Sequence, residues 1–197
     1  FADAFLLLEA CMSHDQLALR CILHLAAVEC ELGRNEAAIR RLELWSASHA
    51  PGRRIRLALA TAHIAHILAA LRGARPVSHM IGPAKDLLDA VWGRTTEPAA
   101  SKVCKLDRVT TAIGHAILQH VAGNISQAVS AWQQASLACK EYDPVPGYFD
   151  MVVAYAHCEL EVRRGNLTEA SLLESRARAL FAGAGRQYYL TSLGTLW

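Results

Sequence analysis

The side chains most able to do chemistry in this 197-residue chain are its nine histidines and six cysteines. His63 and His66, in "HIAH", share one helical face at i, i+3. That spacing can hold a metal when further ligands converge. No acidic or cysteine side chain is placed to complete the set, and the glutamate of H-E-x-x-H is missing. The pair is therefore expected to line an inner face or to bond arginine and backbone groups. His115 and His120 are five residues apart and fall on different faces. His157 next to Cys158 puts an imidazole beside a thiol, the partners of a cysteine nucleophile. Neighbouring helix residues point about 100° apart, so packing is the expected role. Cys11, Cys21, Cys30, Cys104, Cys139 and Cys158 form no C-x-x-C pair and no tight framework. They read as reduced core residues of an intracellular protein, cytoplasmic or nuclear. No catalytic set, metal or cofactor is expected.

Two clusters suit a binding surface better than a reaction. Arg53, Arg54 and Arg56 begin one apolar run, and Arg72 and Arg75 end it. Positive charge at a helix N-terminus opposes the macrodipole, so a solvated loop or a negatively charged partner segment must compensate it. The stretch "EYDPVPGYFD", residues 141 to 150, offers Tyr142, Tyr148 and Phe149 as interface anchors or as packing against a neighbouring element. The candidate partner-binding residues are thus Arg53, Arg54, Arg56, His63, His66, Tyr148 and Phe149. A formal charge of +2 is too small for a dedicated nucleic-acid binder. Residues 55 to 71 carry no acid, yet a spanning helix wants about 20 apolar residues and this run is broken by Arg56, His63 and His66. A buried central helix is expected, not a membrane anchor.

The elements that position these residues are all helical. Proline and glycine punctuate stretches rich in Ala, Leu, Arg, Gln and Glu. Apolar residues recur at three and four, as in Ala18, Cys21, Ile22, Leu25 and Val28. One pattern then repeats: "GRNEAA" at 33, "GNISQA" at 123 and "GNLTEA" at 165. In each, an alanine follows the glycine by five residues and a small residue precedes it by seven. The sets are Ala26, Gly33, Ala38; Ala116, Gly123, Ala128; and Cys158, Gly165, Ala170. Glycine takes the left-handed conformation that ends a helix, and the small residues allow two antiparallel helices to approach closely. "LRGARPVSHM" reads as a degraded fourth turn centred on Gly73, so the turn glycines are 40, 50 and 42 residues apart. "GNIS" and "GNLT" also match the N-glycosylation pattern, but they coincide with the turns. Hairpins are expected at about 15–49, 53–92, 101–141 and 148–182, with flanking helices near 2–12 and from 186.

A small residue, a glycine turn and an alanine five later resemble the tetratricopeptide (TPR) repeat and its longer-period relatives, with HEAT-type repeats an open alternative. The resemblance implies an all-α fold: a right-handed α-α superhelix, a TPR-like α-solenoid of about four hairpins forming one domain. The apolar ends, Phe1 and Trp197, suggest a piece of a longer solenoid that could self-associate through its end helices. It also implies a non-catalytic scaffold that holds an extended peptide or a helix of another protein on a concave surface. Such a chain would be a subunit of a larger complex, as in cohesin-loader-like proteins. His24, Glu29, His63, His66, His115, Gln119, His157 and Glu161 would lie near the inner wall. A helical ligand-sensing domain is the alternative, and an α-helical enzyme a weaker one.

Overall fold

The computed structural model describes residues 15–49, 52–95, 102–141 and 148–183, apart from the side chains of 15–17, 31, 92–95, 102–106, 148, 149, 181 and 183. These residues form eight helices and no strand: α1 (Asp15–Glu31), α2 (Asn35–Ser48), α3 (Arg53–Arg72), α4 (Ser78–Thr95), α5 (Lys102–Val121), α6 (Ile125–Glu141), α7 (Tyr148–Arg163) and α8 (Leu167–Gly183). The protein is all-α. The expected helices at 2–12 and from 186 lie outside the described residues, as does most of the loop before α7. Two compact units divide the chain, Phe1–Thr96 and Glu97–Trp197. Each contains two helical hairpins.

Three turns share one hydrogen-bonding pattern. Gly33, Gly123 and Gly165 have φ of 73°, 77° and 75°. The Gly33 N–H donates to the Cys30 carbonyl at 2.9 Å, and the Arg34 N–H reaches back to Glu29 at 2.7 Å. Asn124 to Gln119 and Asn166 to Glu161, both at 3.0 Å, repeat the longer bond. This is the Schellman motif, which satisfies carbonyls that the helix end would otherwise leave bare.

The fourth turn corrects the sequence reading by one residue. Ala74, not Gly73, is left-handed, with φ of 52°. The Arg75 N–H donates to Ala70 at 2.8 Å and the Ala74 N–H to Leu71 at 3.0 Å, the same pattern centred on 74. Pro76 explains the placement. It holds the preceding residue extended, which suits Arg75 as the residue after the left-handed one.

Small side chains sit where paired helices meet. Ala26, Ala38, Ala116, Ala128, Cys158 and Ala170 are all buried. The Cys158 thiol donates to the Ala170 carbonyl at 3.3 Å, so the α7 and α8 backbones are close there. In the first unit Ile22, Leu42, Ile55 and Leu59 gather around Ala26, Ala38 and Ala62 in one core cluster. Helix α3 is long and apolar enough to cross a membrane by composition. It packs against α1, α2 and α4, with Ile55, Leu59, Ile64 and Ile67 buried. In the second unit α5 pairs with α6 and α7 with α8, and α7 also rests on α5 and α6.

Candidate binding clefts

Each unit has an open cleft between the second helix of its first hairpin and the hairpin that follows. In the first unit α2 supplies Glu36, Ile39 and Arg40 to one wall, and α3 supplies His63, His66 and Ala70 to the other. Arg75 and Pro76 from the turn, with His79, Met80 and Pro83 of α4, close a volume of about 640 Å³. Its single carboxylate, Glu36, lies 3.7 Å from Arg40 and 3.9 Å from His66. The His66 Nδ1 atom is buried and has no hydrogen-bond partner among the described residues. Burial lowers the pKa of His63, against an opposing pull from Glu43. Gly33, Arg34 and Asn35 border an adjoining hollow that also includes Arg40, His66 and Arg75.

In the second unit α6 faces α7 and α8 across about 850 Å³. Val129 and Leu137 line it and are 49 % and 59 % exposed, so covering them would bury apolar surface. At its base Glu161 is buried and surrounded by donors. Arg164 Nη1 donates to Oε1 at 2.7 Å, and Asn166 Nδ2 to Oε2 at 2.8 Å. His157 Nε2 lies 3.4 Å and His120 Nε2 3.6 Å from Oε1. Trp132 stacks on the His157 ring at 4.7 Å, and its indole N–H points at His120 Nδ1 at 3.3 Å.

His120, His157 and Glu161 bring three potential ligand atoms within 4.8 Å of one another. By residue type that is a metal set; by hydrogen bonding it is not. An indole only donates, so His120 Nδ1 must accept, and the neutral ring then carries its proton on Nε2. Burial, the largest influence, lowers the pKa of His120 to about 4, which keeps the ring neutral at pH 7. The nitrogen that faces Glu161 is therefore an N–H and not a lone pair. A ligating histidine normally donates its outer N–H to an acceptor, the reverse of what Trp132 offers here. Arg164 already occupies the Glu161 oxygen that a cation would need. Arg164 and Asn166 bond the carboxylate and tie α7 to the α7–α8 turn, while His120 of α5 faces it at 3.6 Å with its Nε2 making no hydrogen bond among the described residues.

In sequence, His157 and Glu161 are expected near an inner wall and His157 beside Cys158 is expected to pack, while His120 carries no role. The useful signal was His157 and Glu161 at i, i+4, with His120 three residues before a turn glycine. Cys158 itself is buried, and burial pushes its thiol up to about 11. Of the expected partner-binding residues, His63 and His66 line the first cleft. Arg53, Arg54 and Arg56 stand at the opposite end of α3 from Arg72 and Arg75, about 30 Å away for a helix of 20 residues. The arginines therefore do not form one cluster. The Tyr148 and Phe149 side chains lie outside the described residues. His24 is exposed, and His115 is half-buried.

Compared with known proteins, the chain matches no family profile, no curated protein and no solved structure.

Proposed function

We propose that this chain is a non-catalytic interaction scaffold, a TPR-like array of hairpins whose clefts hold a segment of another protein, extended or helical, within a larger intracellular complex. The observation that carries the reading is the pair of apolar side chains Val129 and Leu137 on α6, 49 % and 59 % exposed inside a concave surface. An apolar stripe opposite a second wall is how a groove receives the anchors of a peptide. Lys140, Arg164 and Arg176 add charge around it. The buried, high-pKa Cys158 thiol and the fully engaged Glu161 favour binding over chemistry.

The test is selection from a random peptide library against the intact chain, followed by affinity measurements on a Val129→Asp/Leu137→Asp variant. At least one class of selected peptide is expected to lose about tenfold or more in affinity, the loss of one or two buried anchors. Selected peptides that all bind the variant as well as the parent chain would refute the second-unit cleft as a docking groove.

A further inference from the structure

Centring the second turn on Ala74 aligns the two clefts residue by residue. His66 and His157 each lie eight residues before the left-handed residue, Ala70 and Glu161 four before it, and Arg75 and Asn166 one after it. The second unit therefore holds a resident carboxylate, Glu161, within reach of its histidine and its turn residue. The first unit has the histidine and a cationic turn residue but only a methyl group at the carboxylate's position. Its His66 Nε2, the counterpart of the nitrogen that faces Glu161, meets only the exposed Glu36 at 3.9 Å among the described residues.

The charges around the first cleft fit that vacancy. Arg34 and Arg75 occupy the same place in successive Schellman turns and border the same hollow. Neither forms an ion pair among the described residues. Arg40 and His66 share the single carboxylate, Glu36. The floor between them is apolar, from Ile39, Ala70, Met80 and Pro83, and no Trp, Tyr or Phe lines it. Stacking surfaces for nucleobases are therefore missing from this cleft. The formal charge of +2 also leaves little long-range attraction for a polyanion.

Building on the scaffold reading, we propose that the first-unit cleft binds an acidic, leucine-type segment of a protein partner, one of whose carboxylates takes beside His66 and Arg75 the place that Glu161 takes in the second unit. Arg34 and Arg40 hold the flanking acids, and the partner's apolar side chains cover Ile39 and Met80. Exposed guanidinium groups fit carboxylates in bidentate geometry and raise association rates as well as affinity.

The probe is a fluorescein-labelled peptide of repeated Glu-Glu-Leu triplets, followed by polarisation, with Gln-Gln-Leu and Glu-Glu-Ser counterparts and an oligothymidylate of equal length. The acidic-apolar peptide is expected to bind best and to weaken with added salt. Arg34→Glu/Arg75→Glu should cost it about tenfold or more at an unchanged melting temperature. Glu36→Gln should tighten it, and Ala70→Glu should exclude it by supplying the carboxylate from within. If Ala70→Glu does not fold, the exposed arginine and Glu36 variants decide the question. The proposal is overturned if the Glu-Glu-Leu peptide does not bind or is indifferent to Arg34 and Arg75. It is equally overturned if oligothymidylate binds as tightly with the same arginine dependence. Library peptides that depend on Leu137 but not on Arg75 would leave the scaffold reading standing while this inference falls.

Discussion

Glu161 shows how a buried carboxylate is satisfied in a helical core: Arg164 and Asn166 bond it directly, and the His157 and His120 rings lie 3.4 Å and 3.6 Å from it. Burial is also the largest cause lowering the pKa of His157, with Glu161 and Glu169 pulling the other way. This arrangement ties stability to pH with a definite sign. His120 titrates near 6.5 in the unfolded chain and at about 4 in the fold, so folding favours its neutral form. Its contribution is complete above about pH 6.5 and is lost as pH falls toward 4, by up to about 3 kcal/mol. Denaturant unfolding at pH 7 and pH 4.5 should show the loss, and His120→Gln should flatten the profile between them. An equally steep profile in His120→Gln would assign the effect to other groups. The sequence displayed both histidines and the glutamate, yet not their convergence. His120 and His157 belong to different hairpins, and only packing of α7 on α5 brings them together.

At the scale of elements, much was legible because the turn chemistry is local. Glycine at 33, 123 and 165 marks left-handed residues, and the small side chains before and after each mark the contact between helices. Helix ends at these turns follow within a residue or so. The second turn misled because its sequence offers a glycine at 73 while the strain falls on Ala74. Ala74→Gly should therefore raise stability by about 0.5–1 kcal/mol, the left-handed cost for alanine less the entropy of glycine. Gly123→Ala should lower it by about 1 kcal/mol. A new Cβ there would meet nothing within 4 Å, so the loss would be conformational and not steric. Urea titrations of both variants check the pair, and a stabilising Gly123→Ala would contradict the shared motif. Ala128→Leu tests the close approach separately. Ala128 is buried between α5 and α6, and overpacking there should cost about 1–3 kcal/mol. A neutral result would mean that the helices can separate at no cost.

For the whole molecule, the repeat that organises the hairpins also places one cleft in each unit, in quasi-equivalent positions with different charge. Ala70 against Glu161 and Arg75 against Asn166 are the substitutions that distinguish them. Of the binding residues expected from sequence, His63 and His66 line a cleft, whereas Arg53, Arg54 and Arg56 do not border it. In sequence, Arg53, Arg54 and Arg56 fall at one end of a helix and Arg72 and Arg75 at the other and group as one surface, but the 20-residue helix holds the two sets about 30 Å apart. The exposed Val129 and Leu137 were equally unremarkable in sequence, where they read as ordinary positions of an amphipathic helix. The most direct test of the scaffold account is amide hydrogen exchange on the intact chain, with and without peptides selected from a random library. Slowed exchange is expected along α6 and the start of α8, in the turns at Arg34 and Arg75, or at both sites. Protection confined to the outer faces of α1 or α5, or none at saturating peptide, would contradict it.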